Sequence, residues 1–153
     1  MQQLDRLRSL LQAIVQRSPS IGYCQGFSFI AATLLTYQTE EEAFWTFVAI
    51  TESLLPLDYY TNLTGVLIDL CIVESLMPPQ LLSQFKRHDF DFKLQISKWF
   101  LLLFLNLLSP ETELVIWDLL MLHGSPALFA VAIALLKLIG SELAEAEDWF
   151  AVQ

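Results

Sequence analysis

Apolar residues recur at helical spacing along most of the chain. Leu4, Leu7, Leu11 and Ile14, with Leu10 and Val15 beside them, give residues 4–16 one apolar face, while Arg6, Arg8, Gln12 and Gln16 fall mostly elsewhere. Pro19 disfavours helix at Ser18, so this helix is expected to stop near Arg17. Residues 22–36 are apolar on most sides and predict a central helix. Thr39 and Glu42 stand at capping-box spacing, with Glu40 and Glu41 in a first turn where the helix dipole favours negative charge. The helix that follows shows Phe44, Phe47, Val48 and Leu55 on one side and should end within 54–58, which contains Pro56.

The same pattern continues. Leu63, Val66, Leu67, Leu70 and Val73 predict a helix over 60–76, and Gly65 inside it suggests a close helix crossing. Pro78-Pro79 interrupts the chain before a short helix to Phe85. Residues 86–93, with Lys86, His88, Asp89 and Asp91, read as a surface connection. Residues 98–108 then read as a strongly apolar helix. Ser109-Pro110 and Ser125-Pro126 each pair an N-cap residue with Pro at the first helical position. Leu114, Trp117 and Met121 line the first of those helices, and Gly124 stops it. The second, 127–139, is apolar all round. The stretch from Ser141 to Phe150 is acidic, with Trp149 and Phe150 placed to fray or dock. No Asn-Gly or Asp-Gly hairpin and no sustained alternation speaks for a strand. The reading is a single all-α domain over 1–153, a compact bundle of roughly seven or eight helices. Segments 27–35, 99–105 and 127–139 are expected to be mostly buried.

At 55% hydrophobic and 16% charged residues over 153 positions, the chain has material for a sizeable core and is too apolar to be disordered. The longest apolar runs are broken by Asn106 and closed by Lys137, short of a bilayer span. No continuous apolar stretch follows the first residues as a signal peptide would require. A net charge of −9 argues against a nucleic-acid partner. Cys24 and Cys71 fit no metal or redox spacing, and His88 and His123 have no second ligand at helical spacing, so neither metal nor cofactor is expected and a reducing, cytoplasmic setting is. Phosphate loops, Gly-x-Ser-x-Gly and His-Glu-x-x-His are absent from the sequence.

One stretch stands apart. Ile21-Gly22-Tyr23-Cys24-Gln25-Gly26 puts two glycines and an amide in an apolar neighbourhood, where backbone can approach closely. On spacing alone, Gln25 reads as an amide at a helix start, satisfied inside a packed core; a single Gln between glycines is no catalytic signature. The picture changes with resemblance. Tyr23-Cys24-Gln25-Gly26 resembles the Tyr-x-Gln-Gly motif of TBC domains, the Rab GTPase-activating family. Four further pieces follow in the family's order: Glu42-Ala43-Phe44-Trp45; Leu55-Pro56 through Tyr59-Tyr60 to Gly65; Lys98-Trp99-Phe100 with Phe104; and Ile116-Trp117-Asp118 with Gly124. Each is weak alone, and together they cover nearly the whole chain.

The resemblance implies an all-helical domain that accelerates GTP hydrolysis by a Rab-type small GTPase. Gln25 would be the catalytic residue, orienting the attacking water in trans, with Tyr23 and Gly26 shaping its loop; Gln25 should then face a surface groove. The family's Arg finger, worth about 10³–10⁵ in rate, belongs to an Ile-x-x-Asp-x-x-Arg motif upstream of Tyr-x-Gln. Arg6, Arg8 and Arg17 are the arginines before Tyr23, and Leu4-Asp5-Arg6-Leu7-Arg8 lacks that spacing. They read as the polar face of the first helix. The chain therefore reads as the family's domain lacking its N-terminal part. The rival reading is a catalytically deficient GTPase-binding module; a third is a purely structural or membrane-associated helical protein. The expected setting is cytoplasmic and peripheral to endomembranes, with membrane contact only through the GTPase.

Overall fold

The computed structural model describes residues 2–56, 58–61 and 63–145. Trp149 and Phe150, expected to fray or dock, lie outside the described residues. Among those described, the order is α1 (Gln2–Arg17), α2 (Phe27–Tyr37), α3 (Glu40–Ala49), a π-helical segment (Ile50–Leu54), α4 (Thr64–Leu76), α5 (Pro79–Arg87), α6 (Phe92–Leu101), α7 (Pro110–His123) and α8 (Pro126–Glu145). No strand occurs among them, and no single helix is long and apolar enough to cross a membrane. The fold is all-α.

Local chemistry sets most boundaries. At α3 the Thr39 side chain accepts from the Glu42 backbone while the Glu42 carboxylate accepts from the Thr39 N–H at 2.9 Å, the reciprocal box expected from the spacing. Ser109 caps α7, and Pro110 follows it at the first helical position. After Ala49 the ladder widens: the Leu55 N–H reaches back five residues to the Ile50 carbonyl at 3.0 Å. The buried Thr51 hydroxyl lies 3.1 Å from the Phe47 carbonyl oxygen, within the loosened turn.

Helices α1, α2 and α3 pack together, and α4, α5 and α6 gather against α8, with α7 alongside α8. One cluster of buried side chains runs from Leu10 to Leu136, centred on Phe27, Phe47, Tyr59, Phe100 and Phe104. Edge-to-face contacts join Phe27 to Phe47 and to Tyr60, each at 4.9 Å between centroids.

Five expectations need correction. The central helix begins at Phe27, not 22, because Gly22 and Gly26 sit at φ 66° and 111° and hold 22–26 outside helical geometry. The predicted helix over 98–108 instead runs from Phe92 to Leu101, started by the Asp91 side chain, which accepts from the Leu94 N–H at 3.2 Å. The chain then turns, with Leu103, Phe104 and Asn106 all at positive φ. The supposed connection over 86–93 is thereby part helix at both ends. Gly65 does mark a close approach, but to the backbone of Tyr59 and not to another helix: a Cβ there would lie 2.5 Å from Tyr59 Cα. The glycine at a true helix contact is Gly140, whose missing side chain makes room for Leu81 where α8 meets α5. Finally, α8 is less buried than its composition suggests. Ala127, Leu128, Ala132 and Leu136 face the core, while Ala130, Ala134 and Leu138 are exposed.

Candidate functional site

The candidate site is the turn between α1 and α2. Its first half hangs from the end of α1: the backbone N–H groups of Ile21 and Gly22 both donate to the Ser18 carbonyl at 3.1 Å. Arg17 makes a two-pronged contact with Glu52, Nε to Oε1 at 2.9 Å and Nη2 to Oε2 at 3.0 Å, and lies over the Trp45 ring at 5.5 Å. The Ser18 hydroxyl reaches the same carboxylate at 3.3 Å. The guanidinium holds the Glu52 carboxyl below its usual range. The π-helical segment thus anchors the entry to the turn.

The second half rests on the far end of α6. Gly26 is buried, and a Cβ on it would meet Leu102 Cδ2 at 3.0 Å and the Leu101 carbonyl oxygen at 3.2 Å. That carbonyl also accepts from the Tyr60 hydroxyl at 3.4 Å, Phe100's from Tyr59 at 3.2 Å, and Leu103's from the Trp117 indole at 2.9 Å. Three aromatic donors from distant stretches therefore fix the backbone against which Gly26 lies. Burial pushes the hydroxyl pKa of both tyrosines up, so they remain neutral donors.

Between these anchors the Tyr23 and Gln25 side chains face outward. Gln25 is exposed, and its amide hydrogen-bonds to none of the described residues. Gln25 is therefore not a satisfied core amide; it is exposed, as the resemblance implies, but it lines none of the grooves described below, so the expected groove at Gln25 is not seen. Tyr23 is 59% exposed, its ring edge-on to Phe27 at 6.3 Å and its hydroxyl 3.5 Å from Ser28 Oγ. It closes one end of an open groove of about 700 Å³ along α1, lined also by Leu4, Leu7, Arg8, Leu11 and Val15. Gln25 is not among the residues lining that groove. Cys24 is half-buried, and burial raises its thiol pKa. The N-terminus of α2 opens directly after Gln25 with no acidic residue in its first turn, so the positive end of its dipole is uncompensated there.

The arginines differ among themselves. Arg6 pairs with Glu40 at 2.9 Å and Arg17 with Glu52, whereas Arg8 is exposed and makes no ion pair among the described residues. His88 is the C-cap residue of α5 and His123 is exposed at the end of α7. Among the described residues no group of three or more His, Cys, Asp or Glu could hold a metal. Sequence reasoning missed Glu52 and the 100–103 backbone as supports of the turn. Neither carries a local signal, since each acts across more than thirty residues of chain.

Comparison with known proteins bears on this geometry. The chain is 35% identical over 153 residues to TBC1 domain family member 2B of Xenopus tropicalis, covering 97% of this chain and 16% of that protein. It is 39% identical over 149 residues to small G protein signaling modulator 3 of Homo sapiens, covering 95% and 20%. The chain thus spans about a fifth or less of these curated relatives. Its structure matches that of the Chlamydomonas flagellar RabGAP TBC domain with a TM-score of 0.80 at 30% identity, over 97% of this chain and 50% of that one. The family model for the Rab-GTPase-TBC domain matches residues 1–144, and with the Tyr23–Gly26 turn seated as described, this chain belongs to that family.

Proposed function

We propose that the chain acts, as one unit of its family's domain, on a Rab-type small GTPase, presenting Gln25 in trans to orient the water that attacks the terminal phosphate of GTP. The observation that carries this reading is an outward, unpartnered amide on a turn fixed at both ends. An amide can both accept from a water and donate to it, and orienting a nucleophile needs a fixed position, not a tuned pKa. Tyr23 would contact the GTPase beside Gln25, and Gly26 would keep the turn seated. Any membrane contact would come through the GTPase, which would place the protein in the cytoplasm at the endomembrane surface.

The second reading, a module that holds a GTPase without accelerating it, is favoured by the arginines. Two of the three that precede Tyr23 are tied into ion pairs, and an Arg finger contributes roughly 4–7 kcal/mol that an uncharged amide does not replace. Single-turnover GTP hydrolysis by a panel of Rab proteins, alongside direct binding, separates the two. Stimulation that Gln25→Ala abolishes supports the first reading. Saturable binding without stimulation supports the second, and neither binding nor stimulation refutes both.

A further inference from the structure

At the opposite end of α2 from Gln25, three hollows of about 500, 290 and 180 Å³ adjoin around Tyr37. They lie between the end of α2, the start of α3 and one face of α7. Their floor is apolar, built on the buried Trp117 with Leu114 and Met121. Their walls carry Glu41, Glu42, Glu113 and Asp118, and no basic residue lines any of the three. Two of these carboxylates serve the fold: Glu42 closes the capping box, and Glu113 accepts from the Leu107 and Leu108 N–H groups at 3.0 and 3.2 Å. Glu41 and Asp118 are exposed, with no ion pair among the described residues. Gln38, which lines two of the hollows, has a buried carbonyl oxygen with no donor. Such an acceptor calls for an explanation in a folded protein. Tyr37 and Trp45 are 60% and 53% exposed at the rim, and Trp45 already takes the Arg17 guanidinium on its ring.

We propose that this groove seats a short basic segment of a partner protein. An apolar side chain of that segment covers the Trp117–Met121 floor. An arginine beside it meets Glu41 or Asp118 and stacks on Tyr37. Charge complementarity selects this occupant: every charged residue in the walls is acidic, the chain carries −9 overall, and exposed aromatics next to carboxylates favour a planar cation. Aromatic side chains at the rim and a methionine in the floor are the residue types enriched where proteins bind one another. The groove is separated from the Gln25 turn by the 11 residues of α2, about 16 Å at 1.5 Å per residue. The proposal stands independently of the GTPase reading.

The test uses the whole chain and a synthetic dodecapeptide of leucine and arginine at helical spacing. Its control is the same peptide with citrulline for arginine, which keeps the shape and removes the charge. Binding is followed by NMR through the Gln38 side-chain amide and the Trp117 indole. The arginine peptide should shift both signals saturably. Its affinity should fall at least tenfold with citrulline and at least tenfold in the Glu41→Lys/Asp118→Lys variant. Asp5→Lys/Glu142→Lys makes the same change in net charge at exposed positions elsewhere and should change affinity less than twofold. Equal losses in the two double variants would reduce the effect to bulk charge and overturn the proposal. So would equal binding of the citrulline peptide, or no saturation by the arginine peptide.

Discussion

The indole N–H of Trp117 donates to the Leu103 carbonyl oxygen at 2.9 Å, a buried bond that pins the first residue of a turn at positive φ. Leu103, Phe104 and Asn106 all adopt that geometry without being glycine, which costs about 1 kcal/mol or more each. Trp117→Phe keeps most of the ring and removes the donor. It should lower stability by about 1–3 kcal/mol in urea unfolding, mostly by orphaning the Leu103 carbonyl. It should also loosen the support of Gly26, seen as faster amide exchange at residues 24–27.

Gly22 and Gly26 share positive φ but not surroundings. A Cβ on Gly22 would meet nothing within 4 Å, whereas one on Gly26 would press on the Leu101 backbone. Gly22→Ala should therefore cost only the backbone strain, about 1 kcal/mol. Gly26→Ala should cost about 2–4 kcal/mol, because the neighbouring backbone must move as well. Chemical denaturation of the two variants side by side checks the order.

Gln25→Ala should leave stability within about 0.5 kcal/mol, since the amide is exposed and makes no bond among the described residues. Where a Rab protein is stimulated, the same change should slow hydrolysis by about 10²-fold or more. Single-turnover kinetics and a thermal melt on one preparation measure both.

Asp69 is 5% exposed on α4, its Oδ2 has no partner, and burial, with the nearby Asp58 carboxylate, pushes its pKa up to about 6 from 3.8. The folded state therefore holds this proton more tightly than the unfolded state. Its contribution to stability is greatest below pH 3.8, declines as pH rises through 6, and is a constant cost above that. Asp69→Asn should remove this slope and raise stability at pH 7 by up to about 3 kcal/mol, from roughly two pKa units at 1.36 kcal/mol each. Urea midpoints between pH 4 and pH 7.5 test it.

The helices were legible in the sequence wherever a polar signal marks an edge. Thr39-x-x-Glu42, Ser109-Pro110 and Gly124 each stand at a helix end in the structure. The end of α6 was not legible, because the residues after Leu101 are as apolar as those before it. Periodicity distinguishes buried from exposed faces, and where helix and turn are both buried it has nothing to distinguish. Gly65 announced a close approach but not its partner, since a missing side chain does not say what fills the space. The outward position of Gln25 came from the motif resemblance, whereas its supports, Glu52 and the Leu101 carbonyl, lie 27 and 76 residues further on.

That spacing orders events during synthesis. The turn bearing Gln25 leaves the ribosome well before the backbone it rests on. With Leu101 and Leu102 some 75 residues behind Gly26, and translation at 5–20 residues per second, the turn waits about 4–15 s for its seat. Throughout that interval Phe27, Ile30 and Leu34, buried in the finished protein, have α1, α3 and the Tyr60 ring to lie against. A nascent chain with residues 1–90 outside the exit tunnel should therefore expose this face to a hydrophobic dye or a chaperone more than one with residues 1–120, Trp117 among them, outside it.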